Sequence, residues 1–456
     1  MRDNIEIDDL FENSHKERIK VNEDLRKETK MDNPQENEQL KINIEEWNFN
    51  VIKFNDCCKN NDMNGICISL DQLMNVLTNN VEKIEYFPSE CLTILEESSF
   101  FNNIKILLMS SRYEICSNVL LLITKLSYLS SLFCEVIMNN GLISKLLTEF
   151  LNDLNNFPKN VIVNFFRFIG IFSMDLPDYR YLLIQYDIIN ICGNILKNCS
   201  EFEVICAMID FLYSFFKYHE YGDLFTFSKI SNIYSIILFI FKRFPNFDAN
   251  DVIPYANKCV CVLNFCCCNE NEAKLSYENK IPIFLFEMIR SNSYNDKDLY
   301  TNIFDHLHLI FLQLSNEELN PLINSLDFKI MISYLEPNNL HSFSFVSLIV
   351  ERTFCCYSSI IPFVFEETDL LLIIKELFND SNFSIKSSLI NIIIATIINS
   401  PNTEIIEKLI NDELVEALID LYNTSLEADL IREVLKIIMN TLPETNEMKY
   451  IIQQII

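Results

Sequence analysis

Beyond about residue 60 the chain alternates short polar breaks with apolar runs. The runs that follow a break line up with one another. They are SFFNNIKILL, GLISKLL, DIINICGNIL, NIYSIILFIF, KIPIFLFEMI, DFKIMISYL, DLLLIIKEL and ELVEALIDLY. They begin at Ser99, Gly141, Asp187, Asn232, Lys280, Asp327, Asp369 and Glu413, in steps of 42, 46, 45, 48, 47, 42 and 44 residues. About twenty residues before an anchor lies a second apolar helix, as in VLLLITKLSYLSSLF and NFFRFIGIF. A weaker unit, LIREVLKIIMNTL, closes the chain.

A period of this length fits armadillo or HEAT units of two or three helices, and is longer than the ~33–34 residues of ankyrin or tetratricopeptide units. One such unit cannot bury its apolar face alone. Stacking joins the faces into one core and leaves a concave surface. The expectation is an all-α, armadillo/HEAT-type, right-handed superhelical solenoid of about eight or nine repeats over residues 51–456. Residues 1–50 are polar with little sustained periodicity, and read as a flexible tail. The Asn-rich connectors NNDMN, LNDLNN and NNL sit where loops belong, since Asn tolerates left-handed backbone better than most residues.

Composition supports this reading. With only five Gly and twelve Pro, the chain is poor in the residues that a turn-rich β fold needs, and it has no GxGxxG or GxxxxGK[ST] phosphate loop. Lys and Arg number 36 against 64 Asp and Glu, a formal charge of −28, which repels nucleic acid and favours basic ligands. The start MRDNIEIDDLFENSHKERIK is polar, and the apolar run near Ile236–Phe241 falls far short of the ~20 residues of a membrane span. Without a signal, the sixteen cysteines are expected as thiols in a reducing compartment. The five histidines are His15, His219, His306, His308 and His341. His306 and His308 are two apart and miss the i, i+4 spacing of a helical zinc pair. No triad or nucleophile elbow occurs, so neither catalysis, nor a cofactor, nor a metal is expected.

CVCVLNFCCCNENEAKLSYENKIPIFLFEMI puts Cys259, Cys261, Cys266, Cys267 and Cys268 within ten residues. Zinc sites favour CxxC pairs, often with His, whereas these are CxC and CCC with no His beside them. Small buried side chains at helix contacts are the favoured reading, with a redox thiol as the alternative. All five are expected on one helix.

The same stretch resembles an armadillo repeat, in which a third helix ends in small residues before "NE" and a following GxxPxLVxLL helix. NFFRFIGIFSMDLPDYRYLLIQYDIINICGNIL looks like the importin-α version of that unit, and SLINIIIATIINSPNTEIIEKLINDELVEALIDLYNTSLEADLIREVLKIIMNTL is similar to the end of its array. In the tail, HKERIKVNEDLRKETKMD resembles the importin-β-binding segment, with Arg18, Lys20, Arg26, Lys27 and Lys30 at its basic positions. The other reading of that stretch is an ordinary solvated charged helix. The family's second basic cluster is missing, and NPQENEQ follows instead.

The resemblance implies a concave groove lined by Trp and Asn one turn apart on successive third helices. Trp would sandwich the stems of a bound Lys or Arg, and Asn would hold the peptide backbone. Here the Trp positions align with Leu121, Phe166, Asp210, Val260, Ile349 and Ile392, and the Asn positions with Lys125, Gly170, Ser214, Asn264, Thr353 and Thr396. The chain's one Trp, Trp47, precedes the array. Two functions fit. One is a divergent import adaptor, cytoplasmic and nuclear, that carries protein or basic-peptide cargo and hands its tail to an importin-β-like carrier. The other is an armadillo scaffold that does not bind nuclear localisation signals. Neither involves nucleic acid or membrane.

Overall fold

The computed structural model describes residues 42–78, 87–150, 154–175, 177–217, 227–292, 294–380, 382–400, 402–424, 428–443 and 446–455. Every regular element among them is a helix. The chain divides into two compact units, Met1–Leu224 and Phe225–Ile456.

Most repeats are triplets of two shorter helices and a long third one, while Ile44–Lys59 and Met63–Thr78 form a pair and Ala249–Phe265 follows the single described helix Phe227–Phe241 and a 3-10 turn. Ser89–Glu97, Phe100–Leu108 and Tyr113–Leu129 form one; Glu270–Glu278, Ile281–Arg290 and Lys297–Gln313 form another. The sequence anchors fall at the start of the second helix, as with Ser99, Gly141, Asp187, Lys280 and Asp327. Asn232 is an exception, because its helix, Phe227–Phe241, begins a turn earlier. Numbering third helices from the first triplet, the first unit holds α1 (Tyr113–Leu129), α2 (Lys159–Asp175) and α3 (Phe202–Lys217), with Met63–Thr78 packed on α1 from the other side. The second holds α4 (Ala249–Phe265), α5 (Lys297–Gln313), α6 (Leu340–Cys356), α7 (Phe383–Asn399) and α8 (Ala428–Thr441).

Polar connectors start these helices by capping them. The side chains of Asp296, Asn339 and Asn382 accept hydrogen bonds from the N–H of Leu299, Ser342 and Ile385 at 2.7, 3.1 and 3.1 Å. Each satisfies a donor that the first turn leaves free. The corner between first and second helices is left-handed at Gly141, Asp187 and Lys280, with φ of 67, 56 and 60°. Asn takes such a conformation at Asn61, Asn292 and Asn295, as its loop positions suggest.

Within the first unit, α1 packs on α2 and α2 on α3; within the second, α4 to α8 pack each on the next. Phenylalanines join the first set. Ring centroids lie 5.5 Å apart for Phe150 and Phe165, 5.6 Å for Phe165 and Phe166, and 5.8 Å for Phe166 and Phe211. Each buried ring contributes roughly 2–3 kcal/mol. A Cβ on Gly170 would stand 3.4 Å from the Phe211 Cα, so α2 and α3 meet most closely at a residue without a side chain.

Ordered chain begins before the expected boundary at residues 50 and 51. Ile44–Lys59 is a helix capped by Asn43, and its Trp47 is fully buried. The Trp47 Nε1 donates to the Cys91 carbonyl at 3.2 Å, and its ring meets Phe87 edge-on at 5.6 Å. Charged residues on the outer side of this helix gave it the composition of a tail. Residues 1–41, with Arg18, Lys20, Arg26, Lys27 and Lys30, lie outside the described residues.

Candidate functional site

A third helix in these arrays is covered by its neighbours and by the shorter helices behind it, which leaves one open stripe. On α1 that stripe is Glu114, Asn118, Leu121, Lys125 and Tyr128, spaced three or four apart as one helix face must be. Four of the aligned groove positions lie on open stripes: Leu121, Lys125, Asp210 and Ser214 are half-buried and face out.

The other eight lie inside. Phe166, Val260, Ile349, Thr353, Ile392 and Thr396 are fully buried, Asn264 is 8 % exposed, and Gly170 carries the close contact described above. A shift of one residue turns a side chain by about 100° around a helix. The outward positions are therefore the adjacent ones: Arg167 and Ile171 on α2, Cys261 and Phe265 on α4, Leu348 and Arg352 on α6, and Asn391 on α7. Apolar residues at the aligned Trp positions Phe166, Val260, Ile349 and Ile392 face the core. None of the aligned positions lies on α5, whose open stripe carries Asp305, Leu309 and Leu312.

The inward residues have structural work of their own. The hydroxyls of Thr353 and Thr396 donate to the carbonyls of Ile349 and Ile392 at 2.7 and 2.8 Å, which satisfies them within their helix. Asn264 is engaged by the next repeat. Its amide donates to the Asn302 carbonyl at 3.1 Å and to Asp305 Oδ2 at 3.0 Å. Its oxygen lies 3.1 Å from His306 Nδ1, and His306 Nε2 lies 3.0 Å from Ser276 Oγ. With both amide hydrogens committed, Asn264 has none left to donate to a bound peptide. Burial pushes the His306 imidazole down to about 4, against a smaller upward pull from Asp305, so it is neutral at pH 7. As a donor at Nδ1 and an acceptor at Nε2 it joins α4, α5 and the Glu270–Glu278 helix.

The cysteine stretch departs from expectation in one respect. Cys259 and Cys261 lie on α4, but Cys266 ends the helix, and Cys267 and Cys268 follow it. The next helix begins at once. Glu272 Oε2 accepts from the Cys268 N–H at 2.7 Å, and Asn269 Oδ1 accepts from the Glu272 N–H at 3.0 Å. The Tyr234 hydroxyl donates to the Cys266 carbonyl at 2.9 Å. Cys259, Cys266 and Cys267 are buried, Cys261 and Cys268 half-buried, and none of the five is in a disulfide. Burial chiefly, then Glu272 and the neighbouring sulfurs, holds the Cys266 thiol well above its ordinary range. Among the described residues no group of three or more His, Cys, Asp or Glu is placed to hold a metal ion, and no single helix is long and apolar enough to cross a membrane.

The second unit opens on its outer face along α5 to α7. Phe345 lies between two imidazoles, 5.3 Å from His308 and 6.5 Å from His341. Leu312 is 56 % exposed. Between α6 and α7 is a cavity of about 290 Å³. Ser344, Ser347, Leu348 and Glu351 of α6 line one side, and Phe383, Ser384, Ser387, Ser388 and Asn391 of α7 the other. Phe383 is 85 % exposed at its rim.

These triplets and their open faces define an all-α, armadillo-like repeat protein. Among solved structures, one from work on a phosphorylation switch in the interaction between cadherin and beta-catenin is similar over 90 % of this chain and 77 % of that one, at 12 % identity and a TM-score of 0.63. The crystal structure of an engineered protein is similar over 90 % of this chain and 97 % of that one, at 10 % identity and a TM-score of 0.59. Identities this low establish the fold alone. No protein-family model matches the sequence, and no curated protein is similar to it.

Proposed function

We propose that the chain is an armadillo-type protein-interaction scaffold that holds a segment of a partner protein on the open face of α5, α6 and α7. The observation that carries this is the opening just described: a cavity of about 290 Å³ between α6 and α7, with exposed Phe383 at its rim. Leu348 and Phe383 give it apolar walls, while serine hydroxyls and the Asn391 amide offer hydrogen bonds. Glu351 adds a carboxylate, so the lining is mostly polar and suits a bound segment that brings one apolar anchor together with hydrogen-bonding groups. The chain on this reading binds protein and does not catalyse, needs no cofactor, and acts in the cytoplasm and the nucleus. The test is a photo-crosslinking residue at Ser387, with Phe363 on the Ile361–Glu367 helix as a second, independent position. Crosslinks to a defined set of proteins at Ser387, lost on Phe383→Asp, support the scaffold. Equal crosslinking at the two positions overturns it.

A second reading, the import adaptor, is favoured by the basic stretch around Arg26 and Lys27. Its test is a titration of segment 1–50 against an importin-β-like carrier, wild type beside Arg26→Glu/Lys27→Glu. Salt-sensitive binding lost on charge reversal supports the adaptor. No binding at low salt leaves the scaffold alone. Asn264 and the buried ladder positions contribute nothing to cargo contact in either reading.

A further inference from the structure

We propose that the outer face of the helix Ile44–Lys59, at Phe49 and Ile52, is the docking surface of segment 5–11 of this same chain. The site is separate from the one on α6 and α7 and depends on neither reading above. Ile44–Lys59 packs on Met63–Thr78, Ser89–Glu97 and Phe100–Leu108, all of which follow it in the chain. That packing buries Trp47, Asn50, Val51 and Phe54. The opposite side presents Phe49, 66 % exposed, and Ile52, 53 % exposed, three residues apart and so side by side on one face. Asn48 and Asp56 flank them and are exposed too, so no described element covers this side. A repeat that ends a stack needs a polar outer face. Two large apolar side chains at the middle of that face call instead for a covering element.

Residues 1–41 lead directly into this helix, through buried Ile42 and the capping Asn43. Their densest apolar group is Ile5, Ile7, Leu10 and Phe11. Ile7, Leu10 and Phe11 stand three and four apart, which gathers them on one side of a helical turn, while Asp8, Asp9 and Glu12 fall on the other. The match is therefore apolar against apolar, with the acids left to solvent. Charge does not choose the occupant, because Glu45 and Asp56 on this face stand against Lys59 and nearly balance it. Distance does. A tether of about thirty residues, from Glu12 to Ile42, spans roughly 30 Å, more than the helix's own length of about 24 Å. Such a tether holds its end at a local concentration on the order of millimolar. Two exposed side chains make a weak contact, which a tethered segment satisfies and a separate protein at micromolar concentration does not.

The experiment places a photo-crosslinking residue at Asn48 of the full chain, at low and high protein concentration and at low and moderate salt, and identifies the linked peptides by mass spectrometry. Links within one chain to residues 5–11 are expected, at a yield that changes with neither protein concentration nor salt, since the contact is apolar and tethered. Ile7→Asp/Phe11→Asp, which leaves the helical array untouched, should lower that yield about fivefold or more. Phe49→Ser/Ile52→Ser, at exposed positions, should do the same. A thermal melt of each variant verifies folding. The inference is overturned if residues 5–11 are not linked, if the links join two chains instead, if folded variants keep the wild-type yield, or if the links fall on the basic stretch 15–30 and are lost with salt.

Discussion

The two units solve one problem in two ways. Both must fix one third helix against the next. Around α2 and α3 the first unit does so with aromatic contact, Phe165 to Phe166 to Phe211, and a backbone approach at Gly170. Around α4 and α5 the second unit uses polar side chains: Asn257 with Asn302, and Asn264 with Asn302, Asp305 and His306. Apolar contact tolerates small sliding because it has no direction, whereas a hydrogen-bond network holds only in one register. The open faces differ as well, with Lys125 on α1 and Arg167 on α2 and a mostly polar, hydroxyl-lined cavity on α6 and α7. One repeat architecture therefore offers different partners different chemistry, as expected where a fold carries function in sites set upon it.

The sharpest way to break this comparison is Phe166→Ala. Removing the ring should cost about 3–5 kcal/mol. In an array whose repeats contact only their neighbours, that cost should fall on the first unit. Chemical denaturation with hydrogen exchange reads both the size and the place. A loss below about 1 kcal/mol, or one spread evenly over both units, would mean that the aromatic chain is not what joins α2 to α3.

Acid tests the polar side. The buried His306 titrates near 4, and the unfolded chain near 6.5, so between those values the unfolded state binds more protons. This contribution to stability is fully present above pH 6.5 and falls as pH drops toward 4. The loss is about 1.4 kcal/mol by pH 5.5 and on the order of 3 kcal/mol at the limit. Unfolding free energies at pH 7 and 5.5 should show it, and His306→Gln should flatten that part of the slope. A slope unchanged by the substitution would remove His306 as the titrating group.

Asn264→Ala should then cost about 1–3 kcal/mol, since it leaves the buried His306 Nδ1 without its partner. A cost near zero would place the register elsewhere. The smallest expected effect is at the corners. Lys280 holds φ of 60° at the place where Gly141 holds 67° in the other unit. Lys280→Gly should stabilise the second unit by about 1 kcal/mol, because a Cβ is costly there, and Gly141→Ala should destabilise the first by a similar amount. Thermal melts of the two variants should move in opposite directions.

Several features were legible in the sequence because they depend on spacing alone. The 42–48-residue steps reported repeats, and most anchors stand at helix starts, since the polar break that makes them visible is also the cap. Asn339 and Asn382 illustrate this: short polar side chains before apolar runs, each closing a first turn. Cys266 shows where such reading stops. Nothing in CCCNENE tells the eye that Glu272 reaches back to the Cys268 N–H and starts a new helix there.

What the sequence determined by itself was therefore the period, the helical class and the order of the repeats, because these follow from local pattern and from the need to bury an apolar stripe. What only the tertiary structure decided was which residue of each stripe faces out. Periodicity fixes a face to within about one residue, and one residue is about 100° of rotation. Packing by the neighbouring repeat settles that angle: Arg167 is open while Phe166 is buried against Phe211, and Asn264 is turned into the next repeat by His306 and Asp305. Those contacts join residues more than forty positions apart, across a distance that no local pattern records.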